Sequence, residues 1–223
     1  MKKTIISFIG IIICKLLSGQ ECTTTWPYLY SDFVEGKVFY KSGNTEPKFL
    51  NIYIIESKLH FIHGENINEL LSSTNIDKVE IAHDTYIPFG NKFYRLISKG
   101  EKGSALVLLA SGDLYSLSRG SGAYGSSANS GSTQQLTSLD VRAGILAGNV
   151  NHLALRQSKD EGKSIPIVQK HYFFWGGEMV AATAKDVEKS LLSEDRRAFK
   201  GFVKANKIKW NRVDDLVKLL AIL

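Results

Sequence analysis

The strongest constraint on the fold is a series of short apolar segments, separated by turn residues, that occupies residues 35–110. The segments are rich in Phe, Tyr, Ile and Val, the residue types that suit a pleated, half-buried surface. Apolar and polar residues alternate in several of them, as Val38 and Tyr40 do with Lys37 and Lys41. Strands are predicted over 37–41, 48–55, 58–62, 78–82, 85–89, 92–97 and 104–110. Short strands at this spacing favour an antiparallel meander, barrel or sandwich over a parallel sheet with crossover helices.

A Ser/Gly-rich segment at 116–138 interrupts this pattern. It lacks the apolar surface that would offset the entropy of ordering, so we expect a long flexible loop there. The pair Gly176-Gly177 lies between two apolar runs and can supply the positive φ angles of a two-residue hairpin turn. Strands are predicted after the loop at 152–156, 165–168, 171–175 and 178–182.

The apolar pattern takes a helical period beyond residue 182. Three short helices are predicted, each behind a residue that can cap it: Thr183 for a helix ending at Leu192, Ser193 for a helix over 194–206, and Asn211 for a last helix. Phe199, Phe202 and Val203 share one side of the second helix. Short amphipathic helices bury little surface alone, so we expect them to pack on the sheet or on a partner.

The first twenty residues have the layout of a secretory signal peptide. Lys2 and Lys3 precede an apolar run at 4–13, and Ser18-Gly19 supplies the small residues that a signal peptidase requires. The run is shorter than the roughly 20 apolar residues that span a bilayer, and no later run approaches that length. We therefore expect an exported protein that is periplasmic, outer-membrane-associated or secreted, with no transmembrane segment in the mature chain.

Removal of the leader changes the charge and cysteine balance. Without Lys2, Lys3 and Lys15, 25 of the 28 basic residues remain against 22 acidic ones, which is an ordinary balance. Together with export, this argues against nucleic acid as a partner. Cys14 would leave with the leader, so the mature chain would hold Cys22 alone and form no internal disulfide. A lipid anchor at Cys22 is not expected either, because Glu21 stands where a small residue normally precedes the modified cysteine.

Two groups of residues are candidates for binding a partner. Basic residues are concentrated at Arg196, Arg197, Lys200, Lys204 and Lys207. They form either a solvated polar helix face or a surface for an envelope protein or an anionic envelope component. The aromatic residues Trp26 and Tyr28 form either an interaction patch or a layer packed under the end of the barrel.

Sequence motifs for cofactors, metals and nucleophilic catalysis are incomplete or lack the context that their chemistry requires. GSGAYG at 120–125 matches a dinucleotide fingerprint, but neither a strand before it nor a helix after it is predicted. The five histidines have no metal-ligand spacing, and no serine lies in GxSxG. We therefore predict no cofactor, metal or catalytic residue. Carboxylates that strand ends could bring together for hydrolysis are Asp32, Glu35, Asp77, Glu80 and Asp84.

Both ends of the chain carry patterns found in a known group of proteins. Residues 26–29 read WPYL, followed by Phe33 and by GKV at 36–38. Near the other end, 202–209 reads FVKANKIK and 214–219 reads DDLVKL. In both patterns the chain resembles exported, β-rich proteins of Bacteroidetes-type bacteria for which no activity is established. The resemblance implies an exported, strand-rich protein and assigns no functional residue.

These observations predict an α+β protein in which an antiparallel, β-rich, meander-like or barrel-like body is followed by short C-terminal helices. The predicted parts are the signal peptide at 1–20, a β-rich region at 21–115, the flexible loop at 116–138, further strands at 139–182 and a helical appendage at 183–223. We expect a non-enzymatic binding or structural module of the envelope or the exterior. The alternative is an envelope hydrolase whose site is assembled from strand ends.

Overall fold

A computed structural model of the chain describes residues 22–70, 75–101, 103–113, 150–157, 159–160 and 164–223. The predicted signal peptide (1–20) and Ser/Gly-rich loop (116–138) lie outside these residues. Cys22 is disulfide-bonded, which differs from the expected single thiol. The second cysteine of the sequence, Cys14, lies outside the described residues.

The described part of the chain is dominated by one antiparallel sheet of twelve strands. The strands are β1 (Thr23–Thr24), β2 (Val34–Tyr40), β3 (Thr45–Tyr53), β4 (Lys58–His63), β5 (Asn66–Glu69), β6 (Ile76–Ile81), β7 (Asp84–Phe89), β8 (Lys92–Lys99), β9 (Ala105–Gly112), β10 (Val150–Asn151), β11 (Ile165–Trp175) and β12 (Glu178–Ala181). Their order in the sheet is β1-β11-β9-β8-β7-β6-β2-β3-β4-β5-β10, and β12 pairs with the second half of β11. The antiparallel, β-rich α+β architecture predicted from the sequence is confirmed.

The sheet curls into a half-barrel because the turn between β3 and β4 reaches back to β8 and β9. Three hydrogen bonds make this closure. The Phe93 N–H donates to the Ser57 carbonyl (2.9 Å), the Gly112 N–H donates to the Ile54 carbonyl (2.8 Å), and the Ser57 hydroxyl donates to the Ala110 carbonyl (2.9 Å). Strands that are distant in the sheet order therefore face each other across a concave interior.

The turn between β3 and β4, where it meets β8 and β9, forms a corner of the half-barrel, and the segment before β2 completes this corner. Thr23 in β1 pairs with Pro166 in β11, which ties the start of the described chain to a strand near its end. The segment then runs beside the last residues of β3, where the Leu29 N–H donates to the Ile52 carbonyl and the Ile54 N–H donates to the Pro27 carbonyl, both at 3.0 Å.

Two apolar clusters fill the concave face. The inner core contains residues of β2 to β8, namely Val38, Leu50, Ile52, Leu59, Ile76, Val79, Ile81, Tyr86 and Phe93. The helix–sheet core joins β9, β11 and β12 to the C-terminal helices through Leu106, Phe173, Val180, Ala182, Val187, Phe199, Ile208, Leu216, Leu219 and Leu220. The predicted packing of the helices on the sheet is therefore observed.

Four short helices occur in the described residues: α1 (His152–Gln157), α2 (Ala184–Ser190), α3 (Asp195–Ala205) and α4 (Val213–Leu219). None is long and apolar enough to cross a bilayer. Thr183 caps α2 as predicted, since its hydroxyl accepts from the Asp186 N–H at 3.2 Å. The predicted caps Ser193 and Asn211 are wrong. The N-cap residue is Glu194 for α3 and Arg212 for α4, and the side chain of neither forms a capping hydrogen bond. Before α3, the Asp195 and Arg196 N–H groups donate to the Leu192 carbonyl, so the chain is already turning at Ser193.

Three strand predictions also differ from the structure. Residues 152–156 lie in α1 instead of a strand, because the Asn151 side chain accepts from the Leu153 (2.9 Å) and Ala154 (3.1 Å) N–H groups and starts a helix. The strands predicted at 165–168 and 171–175 are one strand, β11. The short strand β5 was not predicted, since Ile67 is its only large apolar residue.

Candidate functional site

The predicted basic residues form an exposed surface on the C-terminal helices, which we call the basic face: Arg196, Arg197, Lys200, Lys204 and Lys207. The opposite side of α3 is occupied, because Phe199 is buried in the helix–sheet core and Phe202 and Val203 pack against that core. The apolar stripe of α3 is thus committed to the sheet, and its charges point to solvent.

The side chains of the basic face differ in their hydrogen bonds and ion pairs. The Arg196 guanidinium donates to the carbonyls of Leu191 (Nε, 3.2 Å) and Lys189 (Nη2, 3.4 Å) and so caps the end of α2. The Lys200 ammonium lies 3.1 Å from Glu188. Within the described residues, the side chains of Arg197, Lys204 and Lys207 form no ion pair. Arg196 therefore has a structural role, and the other cations are the part of this surface that can meet a partner.

Trp26 and Tyr28 are placed in the interior. Trp26 is 5% exposed and Tyr28 is fully buried, in a cluster with Phe33, Tyr53 and Ile67. The Tyr28 ring lies 5.1 Å from that of Trp26 and 5.0 Å from that of Phe33, in tilted contacts. Both rings are therefore packed in the interior, and neither lies on an exposed surface.

A polar cluster that the sequence did not indicate lies on the concave face, between the inner core and the helix–sheet core. We call it the concave-face cluster: Tyr30, Asp84, Tyr86, Arg95 and His171. Tyr86 in β7 pairs with Arg95 in β8, Arg95 with Leu108 in β9, and Leu108 with His171 in β11. Residues directly opposite each other in an antiparallel sheet share a face, so these side chains form one row.

Tyr30 reaches this row from the segment before β2. Its backbone is fixed by Asn51, whose side-chain oxygen accepts from the Tyr30 N–H (3.0 Å) and whose amide donates to the Tyr30 carbonyl (2.9 Å). The Tyr30 hydroxyl lies 2.8 Å from Asp84 Oδ2 and 2.7 Å from the Tyr86 hydroxyl. Because a phenol carries one proton and the Tyr30 proton goes to the carboxylate, Tyr86 must donate to Tyr30.

Asp84 connects this chain of hydrogen bonds to Arg95. Its Oδ1 accepts from Arg95 Nη1 at 3.4 Å, and the side chains of Asp84 and Arg95 are about one-third exposed, at 32% and 35%. The Nε of Arg95 is buried and has no hydrogen-bond partner among the described residues. A buried donor without a partner is uncommon in folded proteins and calls for an explanation.

Burial controls the protonation states of the cluster. It raises the pKa of Tyr30 and the pKa of Tyr86 far above the ordinary value of a phenol, so both hydroxyls keep their protons. Burial also lowers the pKa of His171, and the positive charge of Arg95 lowers it further. His171 is therefore neutral at pH 7 and offers one N–H donor and one acceptor.

A second polar group, around His60, is enclosed in the body. His60 is 1% exposed and stacks on Tyr53 at 4.7 Å between ring centroids. Its Nδ1 is hydrogen-bonded to the Tyr28 hydroxyl (2.9 Å), and its Nε2 lies 3.8 Å from Glu69 Oε2. Burial lowers the pKa of His60, partly offset by Glu69. The imidazole at the centre of this group is closed to solvent.

The five carboxylates considered for hydrolysis are dispersed. Asp84 belongs to the concave-face cluster, whereas Asp32 pairs with Arg156 (2.8 Å) and Glu80 with Lys78 (2.6 Å). Glu35 and Asp77 are exposed on β2 and β6. Within the described ranges, no three His, Cys, Asp or Glu side chains come close enough to hold a metal ion.

The concave-face cluster could not be found from spacing in the sequence, because Tyr30 is 54 residues from Asp84 and meets it only through the closure of the half-barrel. Comparisons of the chain with protein-family models, with curated proteins and with solved structures give no match. The function is therefore inferred from the arrangement of the described residues.

Proposed function

We propose that this chain is an exported, non-enzymatic binding module of the cell envelope, which attaches to an anionic envelope surface through its basic face. The observation that carries the proposal is the orientation of α3. Its apolar side is packed into the helix–sheet core, and Arg196, Arg197, Lys200 and Lys204 are all exposed. What α3 presents to a partner is therefore positive charge.

The spacing of these charges suits a surface on which anionic groups recur at regular intervals. Residues four apart on a helix are separated by about 6 Å along its axis, so the exposed Lys200 and Lys204 lie one turn apart on α3. Cations spaced along a helix fit phosphate groups arranged over a plane, such as lipid headgroups. Cationic side chains near an anionic lipid surface contribute about 1 kcal/mol each, and the attraction is screened by salt.

Cosedimentation of the full chain with vesicles tests this attachment. We expect binding to vesicles that contain anionic lipid, weak binding to purely zwitterionic vesicles, and release at high salt. The triple variant Lys200→Gln/Lys204→Gln/Lys207→Gln should bind about 100-fold more weakly, since three contributions of about 1 kcal/mol are lost. Arg196 is left unchanged because it caps α2.

The matched control removes the same charge elsewhere. Lys37, Lys92 and Lys99 are exposed on strands of the sheet, so Lys37→Gln/Lys92→Gln/Lys99→Gln lowers the net charge equally without touching α3. This control should retain most of the binding. Equal losses in both triple variants would mean that net charge alone acts. Binding that ignores vesicle charge, or that requires an extracted envelope protein, would contradict the proposed partner.

Export is tested on native material. Amino-terminal sequencing of the purified protein should begin near residue 21, after the Ser18-Gly19 pair. A protein that retains Met1 and fractionates with the cytosol would contradict the proposal. The alternative function, an envelope hydrolase, stays a prediction that release of soluble fragments from a purified envelope polymer would support.

A further inference from the structure

We propose that the concave-face cluster is a binding site for a small molecule bearing an oxyanion, either a carboxylate or a phosphate, with Arg95 as the principal contact and His171 as the second. This site is separate from the basic face. It would bind a soluble small molecule, whereas the basic face would attach to an anionic surface.

Arg95 supplies the main reason. Its Nη1 is engaged by Asp84 at 3.4 Å, and its Nε is buried without a partner. Within the described residues, the Arg95 guanidinium has one hydrogen-bond partner, which is Asp84. The Nε–H and Nη2–H bonds of a guanidinium are parallel and match the two oxygens of a carboxylate or phosphate. That edge of Arg95 is the uncommitted one, and the Arg95 side chain as a whole is 35% exposed.

The hydrogen-bonding groups that have no partner within the cluster determine which charge the ligand carries. Both phenol protons are used within the cluster, in the bonds from Tyr86 to Tyr30 and from Tyr30 to Asp84. The Asp84 carboxylate already accepts from Tyr30 and Arg95. The donors left over belong to Arg95 and to neutral His171, so the ligand must supply acceptors. An oxyanion supplies such acceptors.

The arrangement is set before a ligand arrives. Asn51 fixes the backbone of Tyr30, Tyr30 and Tyr86 hold Asp84, and Asp84 holds one side of the guanidinium. A side chain held in its bound orientation loses less conformational entropy on binding, which increases affinity. Tyr30 and Tyr86 therefore act as positioning residues for Arg95.

His171 gives the site a spectroscopic reporter. Arg95 and His171 lie on strands separated by β9, so their backbones are about 10 Å apart across the sheet. The charge of Arg95 already lowers the pKa of His171. An oxyanion bound beside them stabilises the protonated imidazole, so binding must raise the pKa of His171.

NMR titration of the histidine ring signals in the full chain tests the inference. Sodium acetate and inorganic phosphate are the probes, added separately at constant ionic strength. For at least one probe we expect saturable shifts of the His171 signals and an increase in its pKa, with the exposed His83 as internal reference. The variant Arg95→Gln should bind at least 10-fold more weakly, because a charge-assisted contact is lost. The control Arg212→Gln changes an exposed arginine of another element and should bind like wild type.

Several outcomes would overturn the inference: no saturable change at His171 with either probe, equal changes at His171 and His83, or unaltered binding by Arg95→Gln. Loss of phosphate binding in the triple lysine variant, with binding intact in Arg95→Gln, would place the anion on the basic face and reject this site. If Arg95→Gln does not fold, the comparison of His171 with His83 in the wild-type chain still decides. Failure of vesicle attachment leaves these results unaffected, so the two proposals are tested apart.

Discussion

His60 shows how strongly one buried residue can couple this fold to pH. Its ring is enclosed by Tyr28 and Tyr53, and the charged groups nearest to it are Glu69, Lys58 and Glu56. Desolvation is the largest influence and lowers the pKa of His60 below its ordinary value of 6.5, although Glu69 acts in the opposite direction. The folded protein therefore keeps this imidazole neutral at a pH where the unfolded chain would begin to protonate it.

This difference predicts that stability falls on acidification. Below about pH 6.5 the unfolded state binds more protons than the folded state, so the free energy of unfolding decreases by up to about 1.4 kcal/mol per pH unit for one such group. The variant His60→Gln should lose less stability than wild type between pH 7.5 and pH 5.5. Urea unfolding at the two pH values measures the change.

The control for this prediction lies on the same strand. His63 is exposed at the end of β4, so His63→Gln should lose as much stability as wild type over the same interval. His171 also contributes in wild type and in both variants, because burial lowers its pKa as well. The interval stays above the region in which Glu69 protonates, since hydrogen bonds with His60 and Lys58 lower the pKa of Glu69 and the bond with Lys58 remains in His60→Gln. A pH dependence of His60→Gln identical to that of wild type would contradict the assignment.

At the scale of elements, the hairpin of β11 and β12 depends on its two glycines. Gly176 has φ 57° and Gly177 has φ 79°, the left-handed values of a two-residue turn of type I′. A Cβ at either position would meet no atom within 4 Å, so backbone conformation and not steric contact is what requires glycine.

Alanine substitutions at two glycines should therefore have opposite signs. Gly177→Ala forces a side chain into the left-handed region and should lower the free energy of unfolding by about 1 kcal/mol. Gly201→Ala, within α3 and free of contacts, should raise it by about 1 kcal/mol because alanine favours helix. Thermal unfolding of the two variants beside wild type provides the test, and destabilisation by Gly201→Ala would show that this position is not an ordinary helical one.

The elements also show what the sequence could and could not predict. Alternating residues such as Val79 and Ile81 identified β6, and Gly176-Gly177 identified the hairpin, because these signals are local. The helix α1 was mistaken for a strand, since its start depends on the Asn151 side chain and not on an apolar pattern. The concave-face cluster was missed for another reason: Arg95 and His171 are brought together by strand pairing across β9, and Tyr30 by closure of the corner.

At the scale of the whole molecule, the helices are a structural part of the body. Leu219 of α4 and Val187 of α2 are fully buried in the same cluster as Leu106 and Phe173 of the sheet. A further link fixes the end of the chain, where the Ser104 hydroxyl donates to the Leu220 carbonyl at 3.5 Å.

Shared burial predicts that sheet and helices unfold together. Leu219→Ala should lower the free energy of unfolding by about 2–5 kcal/mol through loss of apolar contacts and a residual cavity. Far-ultraviolet circular dichroism and tryptophan fluorescence should report one coincident transition, because Trp175 and Trp210 pack against the same cluster. Leu192→Ala is the control, since Leu192 is 66% exposed and its truncation should change stability by less than about 0.5 kcal/mol. Two separate transitions would mean that the helices form an independent unit.

The pairing of Thr23 with Pro166 has a consequence for the life of the nascent chain. A ribosome makes the amino end first, so the earliest strand has no neighbour until a partner more than 140 positions later has been synthesised. Loops of that span close slowly, so the pairing of β1 with β11 is expected to form late in folding. Until then the amino end of the unfinished polypeptide lacks its pairing partner.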